Sequence, residues 1–171
     1  MSTRASPPWA VGAAGRHRLA PQTIARFKAR VRELTRRTRG KSLAQIVEEL
    51  ARYLTGWRAY FGFCQTPSVL RELDQWTRRR LRAIAWKQWK NGRTRFAELT
   101  SRGVRRGLAT PTPGSPHGPW RLSNSPALAI AFINAAFGAF GLPSLALCKP
   151  TNPPNRRVRT RRPGGVGGAA P

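Results

Sequence analysis

Between Ile24 and Gln88 the chain repeats one pattern: apolar side chains three and four residues apart, in runs divided by helix-ending and helix-starting residues. That spacing gathers each run on one side of an α-helix. Pro21 suits a first helical turn, where its missing N–H costs nothing. Ile24, Phe27, Val31, Leu34 and Thr38 then make the first stripe. Arg26, Arg30 and Arg37 flank it on one side, with Lys28, Arg32, Arg36 and Arg39 on the other. Gly40 supplies the left-handed residue that closes the helix. Ser42 and Gln45 have the form of a capping box, and Leu43, Ile46, Val47, Leu50, Tyr53, Leu54, Trp57 and Phe61 share the next face. Thr66 as cap and Pro67 at the first position open a third helix to about Lys90. Its inward stripe is Leu70, Leu73, Thr77, Leu81, Ile84 and Gln88, and Asn91-Gly92 closes it.

Beyond residue 92 the periodicity weakens. Residues 94–102 read as a short helix and Gly103 to Pro119 as a loop dense in Gly, Pro, Thr and Ser. A last helix is expected from about Pro126 to Phe140, capped by Ser125 and stopped by Gly141-Leu142-Pro143. No strand pair with hairpin chemistry and no internal repeat is apparent. The expected fold is all-α: a bundle of three long helices plus a smaller C-terminal helix, over residues 21–148. Residues 1–20, a linker, and 149–171, a basic tail, hold too little apolar area to offset the entropy of ordering and are expected to be disordered.

Lys and Arg number 32 against 6 Asp and Glu, a formal net charge of +26. Such an excess works against compactness by self-repulsion unless a polyanion partners it. Each phosphate that a cation neutralises releases condensed counterions, so nucleic acid is the partner this charge suits. The carboxylates Glu33, Glu48, Glu49, Glu72, Asp74 and Glu98 lie mostly on helix faces among arginines, with no metal-pair spacing. There is no phosphate-binding glycine loop, nucleophile elbow or Cys–His pair of recognisable form. Cys64 and Cys148 read as structural thiols, and His17 and His117 stand at no ligand spacing from them. Neither catalytic residue, metal nor cofactor is expected. Leu122 to Leu147 carries no charge, but Asn124, Asn134, Gly138, Gly141 and Pro143 interrupt it, so a buried helix is expected there rather than a membrane span. With no secretory signal visible, a cytoplasmic location of bacterial type is expected.

The third helix is the richest surface. Projected at 100° per residue, Arg71, Arg78, Arg82 and Trp89 fall in one arc away from the apolar stripe, with Arg79 and Trp86 beside it. Arginine offers phosphate a bidentate fork, and an exposed indole offers an unpaired base a flat platform. Taken singly, Trp86 and Trp89 are read rather as packing beneath a neighbouring helix, while the arginine face as a whole is read as contacting RNA. Lys87, Lys90, Arg93 and Arg95 extend the basic run, and Arg36, Arg37, Arg39 and Lys41 supply another at the first helix end. These fourteen residues form the candidate RNA-binding set. Arg80, on the edge of the apolar stripe by Trp76, is read as packing its stem and snorkelling its head.

Several words are family-specific. R-F-K-A-R-V-R-E-L-T-R-R-T-R-G-K-S-L, L-T-G-W-R-A-Y-F, L-R-E-L-D-Q-W-T-R-R-R-L-R and W-K-Q-W-K resemble the maturase-specific domain of group II intron-encoded proteins. That domain is also called domain X, or the thumb of the intron reverse transcriptase. G-P-W-R-L-S-N-S-P-A-L and G-L-P-S-L are similar to the segment closing many bacterial members, so the resemblance runs over about residues 19–146. Gly56-Trp57 with Tyr60-Phe61, Trp76, and Trp86-Lys87-Gln88-Trp89 carry it best. The resemblance implies a helical domain that binds intron RNA and assists its folding and splicing, the chemistry belonging to the RNA. Full-length relatives also carry an upstream polymerase with a Y-x-D-D motif, which this sequence lacks, and no H-N-H endonuclease signature is present. The alternatives are the thumb of a split or truncated reverse transcriptase, working with a separate polymerase domain, or an inactive fragment of one. Binding to DNA is a further alternative.

Overall fold

A computed structural model describes residues 9–11, 17–36, 40–61 and 67–145. Helices dominate: α1 (Pro21–Leu34), α2 (Leu43–Phe61), α3 (Pro67–Gln88) and α4 (Gly92–Ser101), then four short ones, α5 (Arg106–Ala109), α6 (Pro119–Leu122), α7 (Pro126–Ala131) and α8 (Asn134–Ala139). The all-α expectation is met. One departure lies at the N-terminal side, where β1 (Trp9–Val11) pairs antiparallel with β2 (His17–Leu19). This ribbon falls in the stretch expected to be a disordered linker. Leu19 gives it a reason to form, because its side chain enters the core.

The stripes read from the sequence are the buried faces. Phe27, Val31 and Leu34 of α1 meet Ile46, Val47, Leu50, Leu54 and Trp57 of α2. Leu70, Leu73, Thr77, Leu81 and Ile84 of α3 complete the interior. α1 packs on α2 and α2 on α3. The capping box is made: Ser42 N–H donates to Gln45 Oε1 at 3.0 Å, and Gln45 N–H to Ser42 Oγ at 3.3 Å. Gln88, expected on the inward stripe, is exposed instead and donates to the Lys41 carbonyl at 3.0 Å.

Two helix ends differ from expectation. α1 stops at Leu34, where the Thr35 hydroxyl donates to the Val31 carbonyl and Arg36 N–H reaches only to Glu33. Self-bonding of this kind competes with helix continuation. Gly40 does adopt φ +63°, beyond the helix rather than at its tip. The expected C-terminal helix is two helices, because Phe132 (φ −128°, ψ 66°) leaves helical geometry between α7 and α8. Ser125 caps α7 by accepting from Leu128 N–H.

Gly103 and Gly141 end α4 and α8 alike. Each has φ near +80°, and the next residue closes a six-residue loop, Val104 N–H to Leu99 and Leu142 N–H to Phe137, both at 3.0 Å. Val104 and Leu142 are then buried, the apolar contact that accompanies this ending. Residues 119–145 consequently fold back along α3, with α6 packed on it, while α4, α5 and α7 contact one another. Cys64, Cys148, Thr66, Arg37, Arg39 and the tail beyond residue 145 lie outside the described residues.

Candidate nucleic-acid interface

The arc of α3 expected to face outward is largely covered. Arg78 is only 6% exposed; it donates to Asp74 at 2.9 Å and to the Asn134 carbonyl at 3.4 Å. Arg82 is half-buried, and its Nε has no partner among the described residues. Burial first, then the neighbouring Arg78 and Arg79 charges, push its guanidinium below the usual arginine value. Trp86 and Trp89 are 1% and 8% exposed. Trp89 stacks on Phe132 at 5.7 Å, and Phe132 stacks in turn on Phe137 at 5.6 Å. The outward ridge of Arg78, Arg82 and Trp89 is therefore corrected to an internal seam. Helical projection identifies residues that share a face, but not a second layer that arrives from elsewhere in the chain.

The remaining candidates divide. Arg36, Arg71, Lys87, Lys90 and Arg93 are exposed. Lys41 is half-buried and paired with Glu49. Arg95 lies over the Trp86 ring at 4.6 Å while donating to the Trp89 carbonyl at 2.8 Å. Arg79 donates to Ser123 Oγ at 3.4 Å and to the Trp120 carbonyl at 3.2 Å, and sits 4.3 Å from the Trp120 ring centroid. Both are spent largely on positioning aromatics. Of the motif residues, Trp57 is buried against Phe27 at 4.9 Å and Phe61 at 4.8 Å. Gly56 and Tyr60 face outward.

A different basic centre forms where α1 meets α3. Lys28 Nζ, the Arg32 guanidinium and the Arg80 guanidinium surround one indole, Trp76, at 5.9, 5.6 and 5.8 Å from its centroid. The helices dictate this grouping: Lys28 and Arg32 are one turn apart on α1, as are Trp76 and Arg80 on α3. Arg80 packs beside Trp76 as read from the sequence, and its Nε donates to Thr35 Oγ1. An exposed cation–π contact is worth about 0.5–1 kcal/mol, which does not neutralise neighbouring like charges. Five of the six carboxylates form ion pairs with other cations, Glu33 with Arg30, Glu48 with Arg52, Glu49 with Lys41, Asp74 with Arg78 and Glu98 with Arg102, while Glu72 lies exposed one turn before Trp76 on α3. Three cations gathered on one indole make this a locally basic surface.

Beside it opens a cleft of about 410 Å³ between the end of α1, α3 and α6. Ala83 and Ile84 give it an apolar floor, Pro119 and Trp120 one wall, and Arg80 and Lys87 its charge. Residues 80, 83, 84 and 87 follow each other along one face of α3. Trp120, absent from the sequence-based set, is 43% exposed here. Its signal was local: a tryptophan directly after Gly118-Pro119 sits on a loop-to-helix corner rather than on an apolar stripe. Among the described residues no group of His, Cys, Asp or Glu could hold a metal ion, and no helix is long and apolar enough to cross a membrane.

Fold and surface together define a basic, all-α domain whose cations converge on aromatic side chains. Residues 24–103 match the family model for the group II intron, maturase-specific domain. The match takes in α1 to α4, ending at the glycine that closes α4; the resemblance read from residues 119–146 lies beyond it. No curated protein matched the chain.

Proposed function

We propose that the chain binds group II intron RNA and assists its folding and splicing, by neutralising phosphates and holding the folded transcript, with no covalent step of its own. The match of residues 24–103 to the maturase-specific family carries this reading. The Lys28–Arg32–Arg80 centre supports it, together with the exposed Arg36, Arg71, Lys87, Lys90 and Arg93. Duplex DNA offers the same phosphate chemistry, and competition between intron RNA and DNA distinguishes the two. The test is a titration of the chain against intron RNA at several salt concentrations, paired with a self-splicing assay at limiting magnesium. Affinity falls steeply with salt, by a slope of about 0.7–0.9 per neutralised phosphate, and splicing accelerates on addition of protein. A binding constant indifferent to salt overturns the phosphate mechanism; tight binding without acceleration leaves an RNA-binding fragment without maturase activity.

A second reading has its own support. Ile130, Ile133 and Phe140, on and around α7 and α8, are large apolar side chains left exposed. They suit a thumb that docks on a polymerase domain supplied by another polypeptide. Co-purification with a protein bearing the Y-x-D-D motif favours this reading, and its absence from such complexes removes it.

A further inference from the structure

We infer that the cleft between α1, α3 and α6 receives a single unpaired nucleobase of the bound RNA, stacked at Trp120, with the adjoining phosphate held by Arg80 and Lys87. This deepens the RNA-binding reading above and rests on it.

The cleft's chemistry is graded in the way a nucleotide is. Its floor, Ala83 and Ile84, and its wall, Pro119 and Trp120, are apolar or aromatic, whereas Arg80 and Lys87 are cations. A base has a flat apolar face joined to a charged phosphate, so one nucleotide satisfies both parts. A peptide aromatic lacks the anion, and a duplex cannot lay a base face against the wall. At about 410 Å³ the space lies within the ~300–1,000 Å³ common for small-molecule sites.

Trp120 is also held ready. Arg79 covers part of the indole at 4.3 Å and is itself tethered to Ser123 Oγ and the Trp120 carbonyl. Ser123 Oγ donates to that same carbonyl at 2.6 Å, closing the turn. A ring fixed before binding loses little rotamer entropy when a base arrives. Trp57, Trp86 and Trp89 are packed into the core and Trp76 is half-buried, so Trp120 is more open than these four.

Arg80 connects the cleft to the neighbouring cations. It lines the cleft and also belongs to the group around Trp76, with Thr35 fixing its Nε. A backbone following Lys28, Arg32 and Arg80 therefore arrives at the cleft mouth, where one base can leave the stack. Bulges and loops of RNA present such bases; a continuous helix does not.

The test compares two RNA hairpins in anisotropy titrations with the full chain. One carries a two-nucleotide adenosine bulge, and the other carries the same bulge with both bases removed and all phosphates kept. Wild type prefers the base-bearing hairpin by about five-fold or more, the scale of one stacked base. Trp120→Ala abolishes the preference and leaves affinity for the abasic hairpin unchanged. Ala83→Phe, which fills the cleft from its floor and leaves Trp120 in the sequence, removes the preference too, and guards against a Trp120→Ala variant that folds poorly. Equal wild-type affinity for both hairpins, or a preference that survives Ala83→Phe, overturns the cleft while the phosphate reading stands. If wild type binds neither hairpin in a salt-dependent manner, both readings fall.

Discussion

Arg78 donates to Asp74 across one turn of α3 at 2.9 Å, and both side chains are withdrawn from solvent. Asp74 also accepts from Ser144 Oγ at 3.0 Å and from Leu145 N–H at 3.5 Å, while Arg78 reaches the Asn134 carbonyl. One ion pair thus fastens the C-terminal segment to the central helix. Its worth is positional, because the desolvation cost of a buried pair offsets much of its Coulomb gain.

Removing one partner is a different matter. Asp74→Ala strands the buried guanidinium and lowers stability by about 3–5 kcal/mol, seen as a large drop in the thermal midpoint by circular dichroism. Replacing both, as Asp74→Leu with Arg78→Met, restores most of the stability. A midpoint unmoved by Asp74→Ala shows that the pair holds nothing.

Charge reversal separates the seam from the surface. Arg78→Glu places a second carboxylate beside Asp74 and lowers the melting temperature. Lys28→Glu with Arg32→Glu lowers the melting temperature much less than Arg78→Glu does, but weakens RNA binding and flattens its salt slope, by about 0.7–0.9 for each phosphate no longer neutralised. Equal effects of the two changes on binding and on melting rule out that division.

Trp89 is a packing residue. It lies between Phe132 at 5.7 Å, Trp86 at 6.2 Å and the Arg102 guanidinium at 5.5 Å. Trp89→Ala opens a cavity and costs about 3–5 kcal/mol, read as a lower urea midpoint. Unaltered urea stability with weakened RNA affinity reverses this assignment.

Tyr53, half-buried on α2, has its phenol raised above the ordinary value by burial, opposed by the Arg30 charge. The folded state therefore holds that proton longer than the unfolded chain does. The resulting stability is fully present below about pH 10, the ordinary tyrosine value, and is lost as pH rises through the folded value. Denaturation of wild type and Tyr53→Phe side by side shows their stability difference shifting against wild type above that point. A difference constant from pH 8 to the alkaline limit contradicts the shift.

The three long helices were legible because each buries one stripe, and a stripe is local information. Phe27–Val31–Leu34 and Leu70–Leu73–Leu81 announced their burial by spacing alone. So did Arg80, whose place at the stripe edge put it against Trp76. The second face of α3 was not legible, because what covers it comes from residues 119–145, some forty to seventy positions later. The uncharged run from Leu122 to Leu147 was the available clue: such a segment has to find an apolar partner, and Trp86 and Trp89 were the aromatics without one. Trp120 belongs to no periodic run, so periodicity passed it over, and only the juxtaposition of α1, α3 and α6 gives it a cleft to border.

The match to the maturase-specific family model ends at residue 103, but the interior does not end there. Trp86 and Trp89 fall inside the matched stretch, while their roof, Phe132 and Phe137, falls outside it. A polypeptide trimmed to the homology boundary would present bare indole to water and a buried carboxylate robbed of its serine, a recipe for sticky, insoluble material. Where ancestry can be detected and where the molecule can be cut are two separate boundaries.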